Sequence, residues 1–317
     1  MTAKLIDFKK FIFNFFLIIF IFHLSFSSQA KENKILLSIN QEIITTVDLL
    51  NEINYLRLLN EEVKNLDNKT LIEIAKNSLI KNTIKKIELQ KNIKEIKLKD
   101  QYLDKLIRNM YLKIGLENEN DFETTLKENN INIEEIREKI SIEIIWNQLI
   151  YKKFINQIKI DKEKIKRSLS NKNIQYQKKY LLSEIVFEVK ENENLDDKTK
   201  IIEDNIKNNG FKNTALLFSI ADTSKLGGSL GWINENSISK KIKQELSRLK
   251  IGQQTNAILI PGGFIILNVD NISEEKKEIN FEDELNRIIN DKTNEQLTQF
   301  SNIYFNKVKK NFTINEI

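Results

Sequence analysis

Residues 35–53 read ILLSINQEIITTVDLLNEI: two short runs in which apolar and polar positions alternate around Asn40-Gln41, then a change to helical spacing. Alternation is the period of a strand with one buried face, so the first part predicts a hairpin. Thr45 or Thr46 stands where a helix N-cap is needed, and Asp48 and Glu52 fall in the first turns, where the helix dipole favours acids. From there to about residue 170 the apolar positions keep a period near 3.6. Ile80, Ile84 and Ile87 share one face, as do Leu103, Leu106, Ile107, Met110 and Ile114; Ile136, Ile140 and Ile144 follow, with Trp146 nearby. Stripes of this width pack against other elements, so they are expected to form core. Gly115 is placed to end the second stripe, and Asp121 is the candidate cap of the next helix.

Near residue 178 the pattern changes. KYLLSEIVFEV is a strand candidate, Glu191–Asp197 a charged loop, and residues 198–219 two short helices broken at Asn209-Gly210. A glycine-rich stretch follows, then a helix from about 238 to 249 before Gly252, then two strands around the turn in NAILIPGGFIILNVD. The order β-α-α-β-α-β-β describes a small α+β domain. Residues 281–311 return to helical spacing through Leu285, Ile288, Ile289, Leu297, Phe300, Tyr304 and Val308, and FTINEI closes the sequence as a short β-like run. A single helix with an apolar face must bury it on something, and the helical region before residue 175 is the expected partner. The fold class is therefore α+β: a helical N-terminal domain (31–175), an inserted unit (176–273), and a C-terminal helix and strand (274–317) returning to the first domain.

The first thirty residues belong to a different pattern. Lys4, Lys9 and Lys10 precede an apolar run from Phe11 to Phe26, and Ser28-Gln29-Ala30 ends it. That is a secretory signal peptide (1–30) cut after Ala30, with an uncleaved anchor as the alternative. Export to the periplasm is the expectation. The formal charge of +5 includes the leader's lysines, so what remains is too mildly basic to suggest nucleic acid. There are no cysteines, and the one histidine, His23, leaves with the leader. Disulfides, thiolate metal sites, imidazole bases and histidine-ligated metals are thereby excluded from the exported chain. Asp196-Asp197 and Glu274-Glu275 lack the ligand count of a calcium loop and are expected to be solvated charges. No cofactor and no metal are expected.

Three of the eight glycines fall in KLGGSLGWI, as Gly227, Gly228 and Gly231. The spacing lacks the pattern of a phosphate cradle, which leaves a tight turn into a strand. GGSLGW at 227–232, PGGFIILNVD at 261–270, the opening LSINQEIITTVDLLNEI and the closing QFSNIYFNKVKKNFTINEI together resemble the parvulin-type peptidyl-prolyl isomerase family, in its periplasmic chaperone form. That resemblance covers nearly all of the chain after the leader, with one parvulin unit. It implies a site in which two histidines and a cysteine or aspartate form a hydrogen-bond network. At the matching positions this chain has Glu184 (in SEIVF), Phe264 (in GGFII) and Ala221, with Asp222 one step on. The resemblance further implies a proline pocket, here around Leu230, Trp232, Ile238, Ile242 and Phe264.

Prolyl isomerisation needs no covalent chemistry: its barrier of about 18–20 kcal/mol falls when the twisted amide is stabilised and the ring is held in an apolar slot. An acid and a large aromatic in place of the histidines remove the network, so the expectation is a peptide-binding module with activity lost or weak. Asp222 shifted into register, or Glu184 in a polar role, would restore an active isomerase. By resemblance the expected function is a periplasmic chaperone for unfolded, extended polypeptides, outer-membrane β-barrel proteins in particular. The competing expectations are an isomerase with an altered site and an envelope scaffold held by an uncleaved anchor.

Overall fold

A computed structural model describes residues 33–170, 175–190, 192–277 and 280–317. The expected signal peptide, 1–30, lies outside them. The hairpin forms as strands β1 (Ile35–Ile39) and β2 (Glu42–Thr45), with Asn40 at the turn at φ 53°. Thr45 caps helix α1 (Thr46–Leu59) through a reciprocal box: the Asp48 amide donates to Thr45 Oγ1 (3.3 Å), and the Thr45 amide to Asp48 Oδ2 (2.8 Å). Then come α2 (Asn68–Gln90), α3 (Asp100–Lys113), α4 (Glu119–Glu128), α5 (Ile133–Phe154) and α6 (Lys162–Ser170). One expectation is corrected here. The cap of α4 is Asn118, whose side chain accepts from the Asp121 amide at 2.9 Å. Asp121 sits in the first turn, where an acid also suits the dipole.

Ile84, Leu103, Ile107, Ile136 and Trp146 are buried in one core. The last helix, α10 (Phe281–Lys309), completes it with Phe305 and Val308, and the Phe305 ring meets Trp146 edge-on at 6.2 Å. The terminal strand β7 (Ile314–Glu316) then pairs antiparallel with β1, setting Leu37 opposite Glu316 and Ile39 opposite Ile314. The sheet order β2-β1-β7 thus ties the two ends of the Ile35–Ile317 unit together.

Between α6 and α10 lies the second sheet, of order β4-β3-β6-β5 and antiparallel throughout. Its strands are β3 (Gln175–Phe187), β4 (Ser229–Asn234), β5 (Ile258–Ile260) and β6 (Gly263–Lys277). Helices α7 (Leu195–Asn209) and α8 (Phe211–Phe218), separated by Gly210 at φ 81°, cover one face through Ile202, Phe211 and Ala215. Ile185, Phe187 and Ile266 point to that face, while Leu182, Val186, Ile265 and Leu267 point to the other. Helix α9 (Lys240–Leu246), capped by Ser239, lies beside the second face. It is shorter than expected because Ile238 is still extended before the cap and the chain turns out of helix after Leu246.

Candidate peptide-binding groove

The glycine turn is shaped by a close backbone approach. Residues Asp222–Leu226 form a single 3-10 turn, ended by Gly227 in the left-handed region at φ 64°. Gly228 follows at φ 78°, and a Cβ there would stand 2.1 Å from the Glu184 carbonyl oxygen. The Glu184 amide donates to the Gly228 carbonyl at 2.8 Å, so the turn lies directly on β3 before continuing into β4. Only glycine meets both demands.

Beside this turn the second face of the sheet is hollow. Strand alternation brings Leu182, Glu184 and Val186 of β3 together with Leu230 and Trp232 of β4 and Ile265 and Leu267 of β6. Ile238 and Ile242 close one side, and the space enclosed is about 340 Å³. Trp232 is 49% exposed, which is unusual for so large an apolar side chain in a folded domain. The opposite wall is helix α10, through Asp291, Asn294, Glu295, Thr298 and Gln299. Asp291 is fixed there, accepting from Ser237 Oγ (2.5 Å) and Arg287 (3.0 Å).

The four residues expected to contact peptide, Leu230, Trp232, Ile238 and Ile242, therefore stand around one groove. Phe264 does not join them. It pairs across the sheet with Phe187, their rings stacked at 5.8 Å, on the face covered by α7 and α8. The pairing register sets Ile265, not Phe264, on the groove face, so the expected place of Phe264 in the pocket is corrected.

Of the remaining family positions, Ala221 is buried in the core beside the groove. Glu184, only 5% exposed, accepts from Thr223 Oγ1 at 2.8 Å. Its burial, assisted by nearby Asp222, raises its pKa to about 7 against the opposing effects of Thr223 and Lys81.

Asp222 is committed elsewhere. Its Oδ1 accepts from Lys85 at 2.6 Å and lies 3.2 Å from Lys81, and Ser301 Oγ donates to Oδ2 at 3.3 Å. Burial alone would raise its pKa, but Lys85 and Lys81 hold the carboxyl far below the ordinary range. Lys85 is 0% exposed, lies over the Trp146 ring at 5.3 Å, and also pairs with Glu143 at 2.7 Å. Glu143 in turn binds Lys225. Lys81 donates to the carbonyls of Ile220 and Ala221, and burial lowers its pKa to about 8 although Asp222 opposes the shift. The turn thus plugs into α2 and α5 through buried charge. The sequence offered no sign of this, since two lysines four apart on a helix look the same whether buried or solvated. The wall contributed by α10 was also missed, because no local pattern states which sheet face a distant helix crosses. Among the described residues no group of three or more His, Cys, Asp or Glu could hold a metal ion.

Residues 182–271 match the family model for Rotamase, described as the PPIC-type PPIASE domain. The Chaperone SurA of Pseudomonas putida is 23% identical over 184 residues, covering 55% of this chain and 43% of its own length. That of Pseudomonas aeruginosa is 22% identical, with 55% and 44% covered. The match spans less than half the length of these relatives. A solved structure from work on PEB4 and Cj1289, described as two structurally related SurA-like chaperones of Campylobacter jejuni, aligns over 90% of this chain and 99% of that one. It does so at 18% identity and a TM-score of 0.35, too loose a likeness to carry an inference.

The sheet, its helices and the matched segment define residues 182–271 as a PPIC-type, parvulin-like domain. Over 55% of its length the chain is similar in sequence to proteins named Chaperone SurA.

Proposed function

We propose that this protein is a periplasmic chaperone that binds unfolded polypeptides in extended form, outer-membrane β-barrel proteins in transit among them, and that its parvulin-type domain serves as a peptide-binding module. The observation that carries this is the groove itself: an apolar trough of about 340 Å³ between sheet and helix, with Trp232 half exposed on its lip. A trough of that kind suits one side chain of an extended chain, and a partly exposed aromatic is a natural anchor. The commitments of the polar groups speak against turnover. Asp222 is held in ion pairs, and Glu184 presents one buried carboxyl bonded to Thr223 in place of a histidine network. The likeness to proteins named Chaperone SurA supports the same proposal.

One observation favours an isomerase with a rebuilt site as a second proposal. Glu184 lines the groove, and with a pKa of about 7 it carries its proton for much of the time near neutrality, so it is a potential hydrogen-bond donor to a twisted amide. The two proposals separate in one preparation. Aggregation of an unfolded outer-membrane β-barrel protein and cis–trans isomerisation of a proline test peptide are measured together. Suppression of aggregation without faster isomerisation is expected. Isomerisation that disappears in Glu184→Leu, which has no donor, would replace the first proposal by the second.

A further inference from the structure

The groove does not end at α9. Past Ile238 and Ser239 lies a larger cleft of about 860 Å³ between α6, the start of α9 and α10. The two spaces share Ile238, Ser239, Glu295 and Gln299, so they adjoin along these residues. Their linings differ. The groove floor is apolar, whereas five lysines stand around the cleft: Lys159, Lys164, Lys240, Lys243 and Lys292.

Carboxylates do not balance them. Lys243 pairs with Glu235 at 2.5 Å, and Lys292 donates to the Ser237 carbonyl at 3.2 Å. Among the described residues no ion pair within 4.0 Å joins Lys159, Lys164 or Lys240 to a carboxylate, and all three are exposed. Of the acids lining the cleft, Asp161 is occupied with the Lys164 amide at 2.9 Å, and Glu235 with Lys243. Burial raises the pKa of Glu295, with Lys292 opposing the shift, and the five lysines outnumber the three lining acids Asp161, Glu235 and Glu295. The rim thus keeps an excess of positive charge directly beyond an apolar trough. Clefts lined by one sign of charge concentrate partners of the other.

We propose that groove and cleft together take one extended polypeptide segment, in which an apolar side chain seated against Trp232 and Ile238 is followed by carboxylate side chains held by Lys159, Lys164 and Lys240. The inference rests on the groove being a peptide site and adds the chemistry of the peptide that fits it: acidic on one side of an apolar anchor.

The test uses the full chain and a pair of short fluorescein-labelled peptides. Both carry the same aromatic anchor, followed in one by Asp and Glu and in the other by Asn and Gln. Fluorescence anisotropy is expected to give about tenfold tighter binding of the acidic peptide at roughly 50 mM salt, with most of the gap closed near 300 mM. The triple variant Lys159→Glu, Lys164→Glu, Lys240→Glu, checked for an unchanged melting temperature, should lose the acidic preference while binding the amide peptide as before. Trp232→Ala should weaken both peptides equally. If the unaltered protein binds the two peptides alike, or the triple variant keeps the preference, the inference falls and the groove stands. If neither peptide binds, both fall together.

Discussion

Glu184 shows how one side chain records its surroundings. An exposed glutamate loses its proton near pH 4.5, but this one, closed in under the glycine turn with Thr223 as partner, holds it to about pH 7. Between those values the folded protein binds the proton and the unfolded chain does not. Stability therefore falls as pH rises through that window, and the whole cost is felt above pH 7. Holding a proton one pH unit longer in the folded state corresponds to about 1.4 kcal/mol, so the full cost is of order 3 kcal/mol. Glu184→Gln keeps an acceptor for Thr223 and cannot ionise. We expect it to melt well above the unaltered protein at pH 8 and close to it at pH 5. A constant difference across that range would show that folding does not raise the Glu184 pKa. The residue was legible in the sequence as a site position, through SEIVF, but its protonation was not. That depends on Gly228 and Thr223 closing over it, and neither is near it in the chain. Phe264 failed at the same scale for a related reason: a strand has two faces, and only the pairing register decides which one a residue takes.

At the scale of elements, α2, α5, α10 and the turn before β4 meet at buried charge instead of at apolar contacts alone. A buried ion pair gives little net stability when intact, but losing one partner leaves the other stranded in low dielectric, at a cost of about 3–5 kcal/mol. Lys85→Met should cost about that much, because Asp222 and Glu143 lose their shared cation. Asp222→Leu should do likewise by leaving Lys81 without a carboxylate and Lys85 with Glu143 alone. The pair combined should cost roughly 2 kcal/mol less than the two separately, read from urea unfolding of all four proteins; simple additivity would mean the two groups do not act on each other. The elements themselves were largely readable. Thr45 and Asp48 announce α1, Gly210 divides α7 from α8, and Pro261-Gly262 turns β5 into β6 because these residues act on backbone within a few positions. The lysines were not readable. A chain rich in lysine makes each one look like surface, and burial of Lys81 and Lys85 is created by Asp222 and Glu143, which lie far along the sequence.

For the whole molecule, the crossing of α10 over the second sheet face and the return of β7 to β1 make the two ends of the described fold interdependent. Ending the chain before Thr313 removes β7 and leaves β1 with an unpaired edge bearing the apolar Leu37 and Ile39 side of the sheet. Such an edge invites pairing with another chain. The shortened protein is expected to lose about 1–3 kcal/mol of stability and to form oligomers with rising concentration, measurable by thermal melts and light scattering. An unaltered melting temperature with a strictly monomeric species would mean that β7 adds nothing. The same pairing also bears on how the chain is made. Asn40 and Thr313 are 273 positions apart yet hydrogen-bond at both backbone and side chain. At the usual pace of synthesis that separation corresponds to about 15–55 s, during which the first hairpin exists without its third strand. The Trp146 cavity likewise waits for Phe305 and Ser301. A polypeptide that we propose shelters unfinished chains thus spends its own emergence with an open strand edge and an unfilled core, in the condition of a client until α10 and β7 arrive.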